Sequence, residues 1–285
     1  GIITNVASAH LQSMGSIAAV AAAKGELFQR LRPGNTAVYN ADDPLVAGLP
    51  TPDGVRRLSY GFGDAVVRAE KIEARGREGQ AFVLSLPAAT VQIKLKAFGR
   101  HNVMNALAAA SAAHVLGLEA DEIRAGLESF APVEKRFFPE AFGGILLIDD
   151  SYNANPASMR AALATVAELK EEGRGLAVLG DMLELGDSSP AAHEEIGRQA
   201  ARCVERLYLM GSLAECVARG ALAGGLPEES VFVAKSHAEI LDNLRGTMRP
   251  GDCILVKGSR GMRMETVAEG IRHTLSDDMA KGAIG

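Results

Sequence analysis

Apolar and polar positions change their period twice along this chain, and each change marks a change of structure. Over residues 16–30 the apolar residues recur at helical spacing, and Arg32-Pro33-Gly34 closes that stretch as a turn before a short strand over residues 37–40. Between Val55 and Leu95 the period falls to two, as in Phe82-Val83-Leu84-Ser85-Leu86 and Val91-Gln92-Ile93-Lys94-Leu95, which predicts a small antiparallel element. Helical spacing returns at His101, with Val103, Leu107, Ala110 and Ala113 on one side. Gly117 closes this helix, and Asp121 is expected to cap the next.

A loop containing Pro132 and Pro139 follows, and beyond it the pattern becomes regular. Apolar runs at residues 145–148, 176–179, 207–210, 231–233 and 253–256 alternate with helical stretches near 157–171, 190–203, 213–223, 237–246 and 262–274. Such alternation specifies a mainly parallel sheet covered on both faces, a Rossmann-like domain over residues 138–285, with a frayed tail over 277–285. Residues 1–137 form a separate α/β domain.

In open sheets of this kind the ligand crevice lies at the carboxyl ends of the strands. Every polar motif of the second half falls there: Asp149-Asp150, Gly180-Asp181, Gly211-Ser212, Lys235-Ser236 and Lys257-Gly258-Ser259-Arg260. Gly211-Ser212 and Lys235-Ser236 read as helix caps or turns. The richest junction is Asp149-Asp150-Ser151-Tyr152-Asn153-Ala154-Asn155-Pro156, where an apolar strand stops before a helix begins. Asn155 suits an N-cap and Pro156 the first helical turn, where a missing N–H costs nothing. Two Asp, a Tyr and two Asn exceed what capping needs. Asp150 should share one crevice with Lys257, and that fixed anion and cation suit a zwitterion or a nucleotide.

Composition narrows the function classes. The 285 residues are 47% apolar, enough for two cores, and the net charge of −5 is carried with scattered basic residues, which favours neither nucleic acid nor an anionic membrane surface as partner. Cys203, Cys216 and Cys253 lack C-x-x-C spacing and read as reduced packing residues of a cytoplasmic protein. No apolar run reaches the roughly 20 residues that span a bilayer, and no signal peptide is expected.

Several motifs occur together in order: Thr4-Asn5-Val6-Ala7-Ser8-Ala9-His10-Leu11, Ala22-Ala23-Lys24-Gly25-Glu26-Leu27-Phe28, Asn40-Ala41-Asp42-Asp43, Phe98-Gly99-Arg100-His101-Asn102-Val103-Met104-Asn105-Ala106, Lys135-Arg136-Phe137, the junction just described, Gly180-Asp181-Met182-Leu183-Glu184-Leu185-Gly186 and Val256-Lys257-Gly258-Ser259-Arg260. With these, residues 1 to about 270 resemble the Mur ligases, and among them the MurF type. The resemblance implies the distal part of a central ATPase domain followed by a Rossmann-like ligase domain. It implies ATP-dependent amide formation through an acyl phosphate, with ATP and Mg2+ as cofactors and a UDP-muramoyl tripeptide and D-alanyl-D-alanine as substrates. A cytoplasmic monomer is expected, with domain closure about residues 133–139.

Residue roles follow from the same resemblance. His10 and a carbamylated Lys24 would serve the magnesium site, and the apolar neighbours Ala22, Ala23 and Leu27 could supply the desolvation that keeps the Lys24 amine neutral for carbon dioxide. Asn105, with Asn102 beside it, would meet the adenine, Arg136 the phosphates and Asp150 the ribose. Asp149, Tyr152, Asn153, Asn155, Lys257, Ser259 and Arg260 are the candidates for substrate. Asp42-Asp43 reads equally as a strand-ending turn or a nucleotide-side group. Gln12 stands where the family commonly carries an acid. No G-x-x-x-x-G-K-[ST] phosphate loop occurs in the 285 residues, so the chain resembles a truncated ligase and is expected to be inactive alone. Two rival readings are a ligase of the folylpolyglutamate synthase type and a non-catalytic binding or regulatory module; the Tyr152-Asn153-Ala154-Asn155-Pro156 string favours the MurF type.

Overall fold

The period changes resolve into two six-stranded sheets in a computed structural model that describes residues 1–7 and 15–280. The chain divides into two compact units, Gly1–Ala131 and Pro132–Gly285.

In the first unit β1 (Ile2–Ile3), β2 (Thr36–Asn40), β3 (Arg56–Gly61) and β4 (Val67–Ala74) run parallel, and β5 (Gln80–Leu86) and β6 (Ala89–Leu95) extend the sheet antiparallel. Strand alternation feeds two cores from one sheet. Ala37 joins Ile3 and Val46 in packing against Val20, Ala21 and Phe28 of α1 (Ile17–Gln29), with the short α2 (Pro44–Ala47) at its edge. The next residue, Val38, packs with Tyr60 and Phe82 against Val103 and Leu107 of α3 (Arg100–Val115). Helix α4 (Ala120–Glu128) lies beside α3 and covers β6.

Two sequence expectations change here. Residues 56–61 form a strand parallel to β2, outside the antiparallel element; Arg56 and Arg57 hid it from a period-two pattern. The cap of α4 is Glu119, whose N–H donates to the Glu122 carboxylate at 2.8 Å, while Asp121 lies inside the first turn and pairs with Arg124 at 3.0 Å.

The second unit has β7 (Phe138–Phe142) on an antiparallel edge, followed by β8 (Ile145–Asp150), β9 (Gly175–Gly180), β10 (Arg206–Met210), β11 (Val231–Ala234) and β12 (Cys253–Lys257), all parallel. The order is β11-β10-β9-β12-β8-β7. Residues 138–142 were expected in a loop because of Pro139. An edge strand has one neighbour, so a missing N–H on the other side disrupts no ladder. Ile145 to Ile148 are all at most 4% exposed, as a parallel sheet covered on both faces demands, and each such side chain contributes about 1.5–3 kcal/mol by its burial.

Helices α5 (Pro156–Leu169), α6 (Ser189–Cys203) and α7 (Ala214–Ala223) pack in a row, and α8 (His237–Arg245) packs on α9 (Glu265–Ala280). Ile240, Leu244, Val267, Ala268 and Ile271 of the last two helices share a core with Ile145, Leu147, Val178 and Ile254. Helix α9 runs to Ala280, so residues 277–280 are helical instead of frayed. Because β12 sits between β8 and β9, the chain leaves β8 and returns one strand further away, which opens a switch point at the carboxyl ends of β8, β12 and β9.

Candidate functional site

Asp150 and Lys257 end adjacent parallel strands and are register partners, which brings residues 107 apart in sequence side by side. The Lys257 ammonium donates to Asp150 Oδ2 at 2.6 Å and to the Asn153 carbonyl at 2.9 Å, and its side chain is only 2% exposed. Asp150 Oδ1 accepts the Phe137 N–H at 3.0 Å. Burial pushes the Asp150 carboxyl above the ordinary aspartate range, while the Lys257 charge and the Phe137 N–H pull the other way.

The rest of the junction divides into anchors and presented groups. Successive strand residues face opposite sides of a sheet, so Asp149 points away from Asp150. Asp149 is fully buried; its Oδ1 takes the Ser151 N–H at 3.1 Å and hydroxyl at 2.5 Å, and its Oδ2 takes Arg272 at 2.7 Å. Ser259 is also an anchor, its hydroxyl accepting the Leu183 N–H at 2.8 Å and donating to the Ala154 carbonyl at 3.2 Å. Asn155 caps α5 through its Oδ1 and the Ser158 N–H at 2.9 Å. Neither Asp149 nor Ser259 offers a free polar edge to the crevice.

Tyr152, Asn153, Arg136 and Arg260 remain exposed on the same rim. The Arg136 guanidinium lies 4.1 Å from the Tyr152 ring centroid and makes no ion pair among the described residues. Arg260 pairs with Glu265 at 3.3 Å. The neighbouring strand end carries Asp181, whose carboxylate accepts the Ser212 N–H and hydroxyl at 2.8 and 2.9 Å and the Leu213 N–H at 3.2 Å, and so holds the turn that leads into α7. Gly211 makes this possible: its φ is +130°, and an added Cβ would sit 2.3 Å from the Asp181 carboxylate. Ser236 caps α8 through the Glu239 N–H. Of the pairs expected as caps or turns, Gly211-Ser212 is a turn and Lys235-Ser236 carries a cap.

In the first unit Asn102 and Asn105 share one face of α3 beside a cleft of about 340 Å³, whose walls include Ala97, Ala106, Ile123, Leu127 and Phe130. Asn102 is committed, donating to the Phe98 carbonyl at 2.9 Å and accepting from Asn105 Nδ2 at 3.2 Å. Asn105 keeps its Oδ1 and one N–H for a partner. Lys24 is exposed and donates to the Asn5 carbonyl at 2.7 Å; Ala22, Ala23 and Leu27 are exposed too, so they do not provide the expected apolar shielding. His10 and Gln12 lie outside the described residues. Asp43 caps α2 and accepts the Val6 N–H at 2.7 Å, and Asp42 accepts the Phe62 N–H at 2.6 Å, so both serve their turn.

Comparison with known proteins decides the lineage. A family model described as the Mur ligase middle domain matches residues 1–113, and one described as the Mur ligase, glutamate ligase domain matches residues 135–260. The UDP-N-acetylmuramoyl-tripeptide–D-alanyl-D-alanine ligase of Escherichia coli (strain K12) is 35% identical over 95% of this chain and 60% of its own length. The chain belongs to the Mur ligase family.

The ligase of the same name from Bacillus subtilis (strain 168) is 31% identical over 94% of the chain, and the chain spans about 58% of that relative's length. Among solved structures, MurF from Acinetobacter baumannii superposes with a TM-score of 0.83 at 31% identity, covering 94% of this chain and 58% of its own. A Thermotoga maritima MurF crystallised with ADP shares the fold, with a TM-score of 0.82 at 24% identity over 97% of this chain and 62% of its own.

Some groups that shape this Mur ligase rim were not singled out from sequence. Arg272 holds both Asp149 and Glu140, each at 2.7 Å, and Glu265 faces Lys135 and Arg260. Both lie on α9, and an acid and a base seven positions apart on a charged helix carry no signal that distinguishes them from solvated residues. Buried His193 accepts the Met182 N–H at 2.9 Å and thereby fixes the loop after β9.

Proposed function

We propose that this chain serves an ATP-dependent ligase that joins D-alanyl-D-alanine to a UDP-N-acetylmuramoyl tripeptide in peptidoglycan precursor synthesis. The names of the relatives support that reading, and one observation in the structure carries it: Arg136, an exposed cation without an acid partner among the described residues, stands on the same strand-end rim as the Asp150–Lys257 pair. A guanidinium left unpaired beside a fixed carboxylate suits a ligand with both phosphoryl oxygens and hydroxyl groups.

The nucleotide fits the residues present. Arg136 has its N–H donors available for phosphate oxygens, and Asp150 retains lone pairs for a ribose hydroxyl beyond those engaged by Lys257 and Phe137. Asn105 offers one acceptor and one donor at an apolar cleft, the pattern that an adenine edge complements. When bound, ATP supplies the phosphoryl group that turns the acceptor carboxylate into an acyl phosphate open to an amine. Lys257, held by Asp150 and the Asn153 carbonyl, fixes the orientation of that carboxylate, and Arg260, exposed on the same rim, is the group proposed to meet the carboxylate of the incoming dipeptide.

Magnesium finds no comparable set: among the described residues no group of three or more His, Cys, Asp or Glu side chains could hold a metal ion. His10 and Lys24 stay in the proposal as the metal-side pair that the family resemblance implies, with no step assigned to them. Among the described residues no helix is long and apolar enough to cross a membrane, and the proposal places the protein in the cytoplasm as a monomer. Calorimetric titration of ADP into the chain tests the nucleotide part. Arg136→Gln should weaken binding about tenfold or more, the worth of one charged hydrogen bond; binding unchanged in that variant would remove Arg136 from the phosphates.

A further inference from the structure

Tyr152 is the one exposed aromatic of the strand-end junction, 45% open to solvent, and its surroundings differ from those of a residue waiting for substrate. Its N–H donates to the Lys135 carbonyl at 3.0 Å. Two residues earlier, the Asp150 carboxylate takes the Phe137 N–H at 3.0 Å. The tripeptide between those two bonds is unusual: Lys135 has φ of 63° and Phe137 has φ of 52°, left-handed values that side-chain-bearing residues rarely adopt. The Asp150–Tyr152 turn thus pins Arg136 from both sides, and the Tyr152 ring lies under its guanidinium at 4.1 Å.

An acid and an aromatic ring hold an arginine in different ways. A carboxylate neutralises the cation and takes up its N–H donors, as Glu265 does with one Arg260 N–H at 3.3 Å. A ring attracts the cation through its quadrupole and neutralises no charge, so the N–H donors stay available for an anion. Arg136 has no side-chain partner other than the ring among the described residues, so the ring alone restrains an otherwise mobile four-torsion side chain.

We propose that Tyr152 is a positioning residue, an aromatic platform that fixes the plane of the Arg136 guanidinium for an oxyanion of the phosphoryl class without lowering its charge, and that it does not itself touch substrate. The assignment deepens the proposed function and rests on Arg136 meeting phosphate. Arg260 also lies over the ring, at the longer distance of 5.9 Å, and already has Glu265 as its partner. The assignment therefore predicts that the ring matters and the hydroxyl does not, and that for ADP the ring acts through Arg136.

Two measurements on the full chain test this. In the ligand-free chain the side-chain protons of Arg136 should show a ring-current shift in the NMR spectrum of the wild type and Tyr152→Phe, and lose it in Tyr152→Leu; no shift in the wild type would overturn the platform. In ADP titrations Tyr152→Leu should weaken binding about fivefold, the scale of an exposed cation–π contact, and Tyr152→Phe should stay within about twofold of the wild type. Tyr152→Leu combined with Arg136→Gln should bind no more weakly than Arg136→Gln alone. Additive losses, or a Tyr152→Phe variant as weak as Tyr152→Leu, would mean that Tyr152 acts on the ligand directly or through Arg260 and would overturn the proposal. So would wild-type affinity in Tyr152→Leu. If Arg136→Gln itself binds ADP normally, the phosphate assignment fails and the positioning role with it, even where the ring-current shift persists.

Discussion

Lys257→Met removes an ammonium while keeping a side chain of similar length, so it separates lost charge from lost volume. In the wild type the ammonium is buried 2.6 Å from Asp150 and also satisfies the Asn153 carbonyl. Leaving one member of a buried ion pair alone costs about 3–5 kcal/mol. The carboxylate has an escape, because it can take up a proton. That costs about 1.4 kcal/mol for each pH unit above its ordinary value near 4, or about 4 kcal/mol at pH 7 and about 1.4 at pH 5. The abandoned Asn153 carbonyl adds about 1 kcal/mol at either pH. In the variant the folded state therefore binds the Asp150 proton more tightly than the unfolded chain does. Its stability is best below the unfolded value and falls as pH rises toward the folded one. Urea unfolding should show a loss of about 5 kcal/mol at pH 7 and about 2–3 at pH 5. Adding Asp150→Asn, which needs no cation, should recover most of the pH 7 loss. A loss under about 1 kcal/mol at pH 7, a loss independent of pH, or no recovery in the double variant would refute the buried-pair reasoning.

Three further stability predictions come from helices. Gly220→Ala would put a Cβ 1.9 Å from the Glu194 carbonyl where α6 and α7 cross, and should destabilise by about 1–3 kcal/mol in urea unfolding, whereas Gly126→Ala in α4 meets nothing within 4 Å and should stabilise by about 0.5–1 kcal/mol. Asn155→Ala removes the cap of α5 and should cost about 1 kcal/mol in the same assay, with a fall in helix content if the first turn frays.

Much of the second unit was legible because each of its elements satisfies a local rule. The apolar runs that became β8 to β12 are short, uninterrupted and separated by helical periods, and the strand-end rule alone placed Asp150 beside Lys257. Local rules fail where the deciding partner is remote. Asp149 looked like a second crevice acid until Arg272, 123 residues away, took its carboxylate. Strand alternation could have warned of this, since two consecutive strand residues cannot face the same side. Ser259 was absorbed in the same way, by two backbone groups that sequence spacing does not reveal. Pro139 concealed β7 because its cost depends on whether the strand is an edge, which is a property of the assembled sheet. Lys24 shows the converse: the alanines around it read as apolar cover, yet they lie on an exposed face of α1, because the buried face is carried by Val20, Ala21 and Phe28. The stacking of Arg136 on Tyr152 had no sequence signal at all, since it depends on two left-handed residues flanking the arginine.

The central claim is that the carboxyl-end rim of the second sheet, with Arg136 beside the Asp150–Lys257 pair, binds the nucleotide. Backbone amide NMR of the chain during ADP titration tests it most directly. Shifts in the second unit should concentrate on residues 135–137 and 150–153 and collapse in Arg136→Gln, while the first unit should respond around Asn102 and Asn105. Shifts that leave residues 135–137 and 150–153 unmoved, or that persist unchanged in Arg136→Gln, would contradict it.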